Sequence, residues 1–201
     1  MCPVYPILNN FPNITIACNE GQERGIKFFL DCAAHFIYNT FMPKTNAMRI
    51  LEKLNINYRT FEYEDNTDHK LELGAAERIA EKAGAAPESV FKTIVMQSDT
   101  KEIAVFCVPA DKEVNLKKAR ALCGAKTMES VKPDSLLSLT GYVRGGCSPI
   151  GMKRRFPVFI DSSVLKHETV YVSAGVRGTQ LLLSPSDLIR AAQAQTADIA
   201  G

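Results

Sequence analysis

The chain has 201 residues, 46% hydrophobic and 23% charged, with 24 basic against 22 acidic side chains and a formal net charge of +2. That length fits one ordinary domain with an appendage better than two full domains, and the apolar fraction suffices for a core without metals or disulfides to hold it. Near charge balance argues against a protein that coats itself in nucleic acid, and neither requires nor excludes a transient contact with one.

Six cysteines, at 2, 18, 32, 107, 123 and 147, form no CxxC pair, and there are only three histidines, His35, His69 and His167. This set does not make a zinc site of paired-ligand spacing, so neither metal nor cofactor is expected. Unpaired thiols fit a reducing compartment. The apolar stretch from Gly25 to Met42 carries Lys27, Asp31 and His35. A lysine or aspartate at the centre of a membrane helix costs about 2.5–3.5 kcal/mol, too much for so short a segment. No basic segment followed by an apolar run and an A-x-A site marks a signal peptide. The expected location is the cytoplasm, with no membrane contact.

Along the chain, Pro3, Pro6 and Pro12 interrupt any early pattern, and regularity begins near Met42. Residues 1–41 are expected to be a poorly ordered extension, or the product of an upstream start, and residues 42–201 the domain proper. Thr45 is a candidate cap for a helix with Ala47, Ile50, Leu51 and Leu54 at helical spacing. Tyr58 to Glu64 reads as a strand, and Ala75 to Ala83 as a helix closed by Gly84. Phe91 to Gln97 and Ile103 to Val108 are β-rich runs joined by Ser98-Asp99-Thr100-Lys101, a hairpin pattern. Asn115 is positioned to cap a basic helix, Leu116 to Cys123, stopped by Gly124. A short strand over Lys126 to Glu129 and a helix over Pro133 to Leu139 follow. Phe156 to Asp161, Val170 to Ser173 and Gln180 to Leu183 read as strands, and Ser184-Pro185 opens the last helix. Strands outnumber crossover-length helices, so the expected fold is a mixed α/β single domain with a twisted, largely antiparallel sheet surrounded by helices.

The unusual segment is Thr140 to Arg155, T-G-Y-V-R-G-G-C-S-P-I-G-M-K-R-R. Its glycines allow close backbone approach and free N–H groups for an anion or carbonyl oxygen; the alternative is a tight turn between strands. Lys153-Arg154-Arg155 and the cluster Lys117, Lys118 and Arg120 are candidate phosphate contacts or solvated charge runs. Period-two alternation sets Lys92 on the face of Ile94 and Met96, either snorkelling to the edge or held in a pocket. There is no G-x-S-x-G elbow, P-loop or dinucleotide fingerprint, and no histidine lies in the glycine segment. Cys147 reads as a small side chain at a packed turn rather than a nucleophile.

Five ordered segments carry a resemblance: Phe91-Lys92-Thr93, Gly141-Tyr142, Gly145-Gly146-Cys147-Ser148-Pro149-Ile150-Gly151, Ile160-Asp161, and Tyr171 through Gly178. Together they resemble the YbaK/EbsC family, relatives of the editing domain inserted in bacterial prolyl-tRNA synthetases, over roughly residues 45–199. The resemblance implies a YbaK-like fold and hydrolysis of the ester of mischarged Cys-tRNA(Pro), with some action on Cys-tRNA(Cys). It implies Lys92 as the functional residue, with Tyr63, Thr93, Gly145, Gly146, Ser148, Pro149, Gly151 and Asp161 around the aminoacyl end. Lys117, Lys118, Lys153 and Arg154 are then weaker candidates for tRNA phosphates. The implied partners are the acceptor end of an aminoacyl-tRNA and prolyl-tRNA synthetase, not DNA. Two alternatives stand beside this: a deacylase for Ala-tRNA(Pro) or another small aminoacyl-tRNA, and a non-catalytic tRNA- or synthetase-binding module. A third, an anion- or nucleotide-binding regulator, would bind through the glycine segment without cleaving an ester.

Overall fold

The computed structural model of the protein describes residues 44–64 and 74–201; the expected extension over 1–41 lies outside the described residues. Helix α1 (Asn46–Lys53) begins where the Thr45 hydroxyl accepts the Met48 N–H, satisfying one of the first-turn donors that a helix leaves unpaired. Its buried face is Ala47 and Leu51. Strand β1 (Arg59–Glu62) follows, shorter than the run from Tyr58 to Glu64. Helix α2 (Ala75–Ala83) ends at Gly84 in the left-handed region, as the sequence leads one to expect.

Strands β2 (Val90–Ser98) and β3 (Ile103–Pro109) form the expected antiparallel hairpin, with Val95 opposite Val105. Helix α3 (Leu116–Cys123) starts where Asn115 Oδ1 accepts the N–H groups of Lys117 and Lys118. Strand β4 (Met128–Ser130) and helix α4 (Pro133–Thr140) precede the glycine segment. Strands β5 (Val158–Asp161), β6 (Val170–Ser173) and β7 (Thr179–Leu183) lead to helix α5 (Pro185–Ala192), with Ser184 at its cap. The sequence reading did not anticipate strand β8 (Gln195–Ala197) or the 3-10 turns Pro87–Ser89 and Ser162–Lys166.

Among the described residues one sheet runs β1-β7-β6-β2-β3-β5-β8, with β4 paired to β2 off this path. Four of its pairings are antiparallel and three (β2 with β6, β3 with β5, β5 with β8) are parallel. The sheet is therefore mixed, mostly antiparallel, and packed on both faces. One face buries Leu51, Phe91, Val105, Ile160, Val172, Leu181 and Leu188 in the main core. The other buries Met96, Phe106, Val108, Phe159 and Ile199 with Ala119 of α3, and Ala80 of α2 meets Val90 and Ala110. Among the described residues no helix is long and apolar enough to cross a membrane.

The sharing of β2's edge matters most for the site. Strand β6 pairs only with Val90 and Phe91, whereas β4 pairs with Met96 to Ser98. Between them the edge is not laddered, and the Val95 carbonyl takes an N–H from Val131 instead. Lys92 and Thr93 lie in that interval.

Candidate active site

A cavity of about 530 Å³ opens beside this interval. One wall is α2 with Glu64 and Gly74. The floor comes from Phe91, Lys92, Thr93 and Ile94 of β2, Ser173 of β6 and Gln180 of β7, and Tyr63, Glu113, Arg144, Gly145 and Cys147 also line it. Its size is that of a small-molecule site.

Lys92 points where alternation puts it, on the face shared with Ile94. Its ammonium donates to the Ala110 carbonyl at 3.2 Å and to Glu113 Oε1 at 2.6 Å, and its side chain is 23% exposed. An ammonium has three N–H donors, so one remains for a ligand. On the opposite face of β2, Thr93 Oγ1 lies 3.8 Å from the buried Cys107 thiol.

The glycine segment divides into two halves with different work. Its first half reaches the cavity through Arg144, Gly145 and Cys147. The Gly146 N–H is taken by the Val143 carbonyl at 3.0 Å, while among the described residues the N–H groups of Gly145 and Cys147 have no acceptor. Gly146 lies against a second loop so closely that a Cβ there would stand 3.0 Å from Arg177 N. The second half is anchored away from the cavity. The Ser148 hydroxyl accepts the Ile150 N–H, and the Gly151 carbonyl accepts from Asn46 Nδ2 at 2.6 Å. The Tyr142 hydroxyl donates to the Ile150 carbonyl at 2.7 Å. Ser148, Pro149 and Gly151 do not line the cavity.

Asp161 is also elsewhere. It ends β5, separated from β2 by β3, and its carboxylate accepts the N–H groups of Ser163, Ile199 and Ala200. Burial pushes its pKa up, but the hydrogen bonds from Ser163 and the backbone N–H groups outweigh this and hold it below the ordinary carboxylate value. It ties the chain terminus to the sheet. Lys117, Lys118, Lys153 and Arg154 do not line the cavity either, and Lys118 is engaged by Asp198 at 2.6 Å and by the Ala200 carbonyl.

Cys147 sits in the lining, but burial pushes its thiol up to about 12, against an opposing hydrogen bond with Thr140. A thiol so held is a poor nucleophile at neutral pH. Gln180, unremarked in the sequence reading, is 3% exposed and lines the cavity, with no hydrogen-bond partner for its amide among the described residues. The available signal was a single polar residue inside the apolar run Gln180-Leu181-Leu182-Leu183. Arg144 and Ser173 were likewise passed over.

A family model described as an aminoacyl-tRNA editing domain matches residues 72–191, which contain Lys92, the glycine segment and Gln180. The chain belongs to the aminoacyl-tRNA editing domain family. An Enterococcus faecalis member, named as a candidate Cys-tRNA(Pro)/Cys-tRNA(Cys) deacylase, EbsC, is 36% identical over 156 residues, covering 78% of this chain and 93% of that one. A proline–tRNA ligase of Desulforamulus reducens is 26% identical over 165 residues, 81% of this chain but 27% of the ligase. This editing domain thus corresponds to a part of the larger enzyme. A solved structure described as a candidate trans-editing enzyme for prolyl tRNA synthetase superposes with a TM-score of 0.67 at 22% identity, over 80% of this chain and 99% of that one, and shows the same fold.

Proposed function

We propose that this chain is a trans-acting aminoacyl-tRNA deacylase that cleaves the ester of mischarged Cys-tRNA(Pro), and of Cys-tRNA(Cys) at a lower rate. The observation that carries the reading is that Lys92 lines one small-molecule-sized cavity together with Gly145 and Cys147, whose N–H groups have no acceptor among the described residues. An aminoacyl ester is already activated, so orientation and stabilisation of negative charge on its carbonyl oxygen supply much of the acceleration. The remaining N–H of Lys92 and the two backbone donors are suited to that charge.

For a cysteinyl substrate the nucleophile is the substrate's own thiol. Its sulfur bonds to the carbonyl carbon, the carbon–oxygen ester bond breaks, and the thiol proton goes to the departing ribose oxygen. The products are free tRNA and a cyclic thioester, which water opens to cysteine. The raised pKa of Cys147 supports a route without a protein thiolate. A pocket alone separates amino acids differing by one methylene by roughly 1–3 kcal/mol. Selection by thiol reactivity adds to that and leaves tRNA identity to be read by a partner, for which prolyl-tRNA synthetase is our choice. The cytoplasm, where charged tRNA is used, is the proposed location.

The test is release of amino acid from Cys-tRNA(Pro), Ala-tRNA(Pro) and Pro-tRNA(Pro), with the wild type and Lys92→Ala. The expected result is rapid loss of the cysteinyl ester, reduced at least 100-fold in the variant, an effect of the size that removal of one oxyanion donor has. Turnover of Ala-tRNA(Pro) instead would reassign the substrate, and wild-type rates in Lys92→Ala would remove the role given to that lysine.

A further inference from the structure

The cavity is of a size that encloses a drug-sized molecule. On the ester-cleaving reading, the aminoacyl group and its nucleoside occupy it, and the rest of the polynucleotide leaves through its opening, beginning with the phosphodiester next to the terminal nucleoside. Arg144 is both exposed and part of the lining, which sets it at that opening. Arg177 stands beside it: its Nε donates to the Arg144 carbonyl at 2.7 Å, and the loops carrying the two residues touch at Gly146. This bond fixes the root of the Arg177 guanidinium, and among the described residues its terminal nitrogens have no partner. Among the described residues neither guanidinium has a carboxylate within ion-pair distance. In contrast, Lys92 and Lys118 are both engaged by carboxylates. The exposed Val143 and Val176 flank the pair with apolar surface.

We infer that Arg144 and Arg177 form a phosphate fork at the cavity mouth, taking the phosphodiester that precedes the 3′-terminal nucleoside of the substrate RNA. The inference rests on the ester-cleaving reading above and moves the phosphate contact away from Lys117, Lys118, Lys153 and Arg154. Two adjacent planar guanidiniums present forked donors that match phosphate oxygens, and among the described residues neither is held by an acid.

The experiment compares Arg144→Gln, Arg177→Gln and the double variant on Cys-tRNA(Pro) and on a cysteinyl ester of adenosine, which has no phosphodiester. Glutamine at 177 can still donate to the Arg144 carbonyl, and turnover of the nucleoside ester reports whether each variant is folded. On the tRNA at 0.15 M salt, the double variant should lower kcat/KM about fourfold through KM, because the two arginines share one phosphate. The slope of log kcat/KM against log salt should flatten by about 0.7 in the double variant. The nucleoside ester should lose at least twofold less than the tRNA in the double variant. Equal losses on the two substrates, or an unchanged salt slope, would overturn the fork. If the wild type cleaves neither ester, the deacylase reading fails by itself. Anisotropy with a labelled CCA trinucleotide then decides: salt-dependent binding weakened in the double variant upholds the fork, and equal binding overturns it.

Discussion

At position 146 a side chain is excluded by backbone rather than by other side chains. A Cβ there would meet Val176 and Arg177 main-chain atoms at 3.0 Å, and main chain cannot rotate away. Gly146→Ala should therefore destabilise the fold by about 1–3 kcal/mol and lower deacylation by shifting Gly145 and Cys147, as denaturant unfolding and an ester-release assay would record. Cys147→Ser should keep deacylation within about threefold if no protein thiol attacks, since removal of a true nucleophile costs orders of magnitude. Asp161→Ala should cost about 2–4 kcal/mol in unfolding free energy, because it leaves the buried N–H of Ile199 and the half-buried N–H of Ala200 without an acceptor. The depressed pKa of Asp161 also sets a pH dependence. Its stabilisation is full above the unfolded value near ~3.9 and is lost as pH falls through the lower folded value. Thermal melts between pH 5 and pH 2 should show a smaller acid loss in Asp161→Asn than in the wild type. Lys92 and the glycine segment were legible because their types were odd for their context. The use of Asp161 was not, because a carboxylate at a strand end reads alike whether it faces a ligand or distant N–H groups.

Helix ends were the most legible elements. Thr45, Asn115 and Ser184 each accept first-turn N–H groups, and Gly84, Gly124 and Gly141 close helices in the left-handed region. These are local interactions within a few residues, so sequence carries them. Asn115 satisfies two donors at once, and Asn115→Ala should cost about 1 kcal/mol, read as a lowered denaturation midpoint with an unchanged slope. Strand β8 escaped notice because its three residues are too few for alternation to register. It exists by virtue of its parallel pairing with β5. The glycine segment was recognised as a non-helical loop, but not as two halves, one at the cavity and one fastened to α1 and Tyr142.

At the scale of the molecule, the described core residues run from Ala47 to Ile199. The proposed boundary at Met42 predicts that a chain beginning there keeps the unfolding midpoint and the deacylation of the full chain, which circular dichroism and the ester assay test. Composition, caps and alternation by themselves determined a mixed α/β domain, its helix limits, its central hairpin and the isolation of Lys92 on an apolar face. These depend on the 3.6- and 2-residue periods and on hydrogen bonds between near neighbours. Only the tertiary structure decided that β7 lies between β1 and β6, and that β6 and β4 share one edge of β2 and leave Lys92 and Thr93 at a gap. It alone brought Gln180, Arg144 and Arg177 to the same cavity region and carried Asp161 away from it. Those outcomes join residues tens of positions apart, and no periodic pattern along the chain encodes which distant strand supplies the partner for an edge.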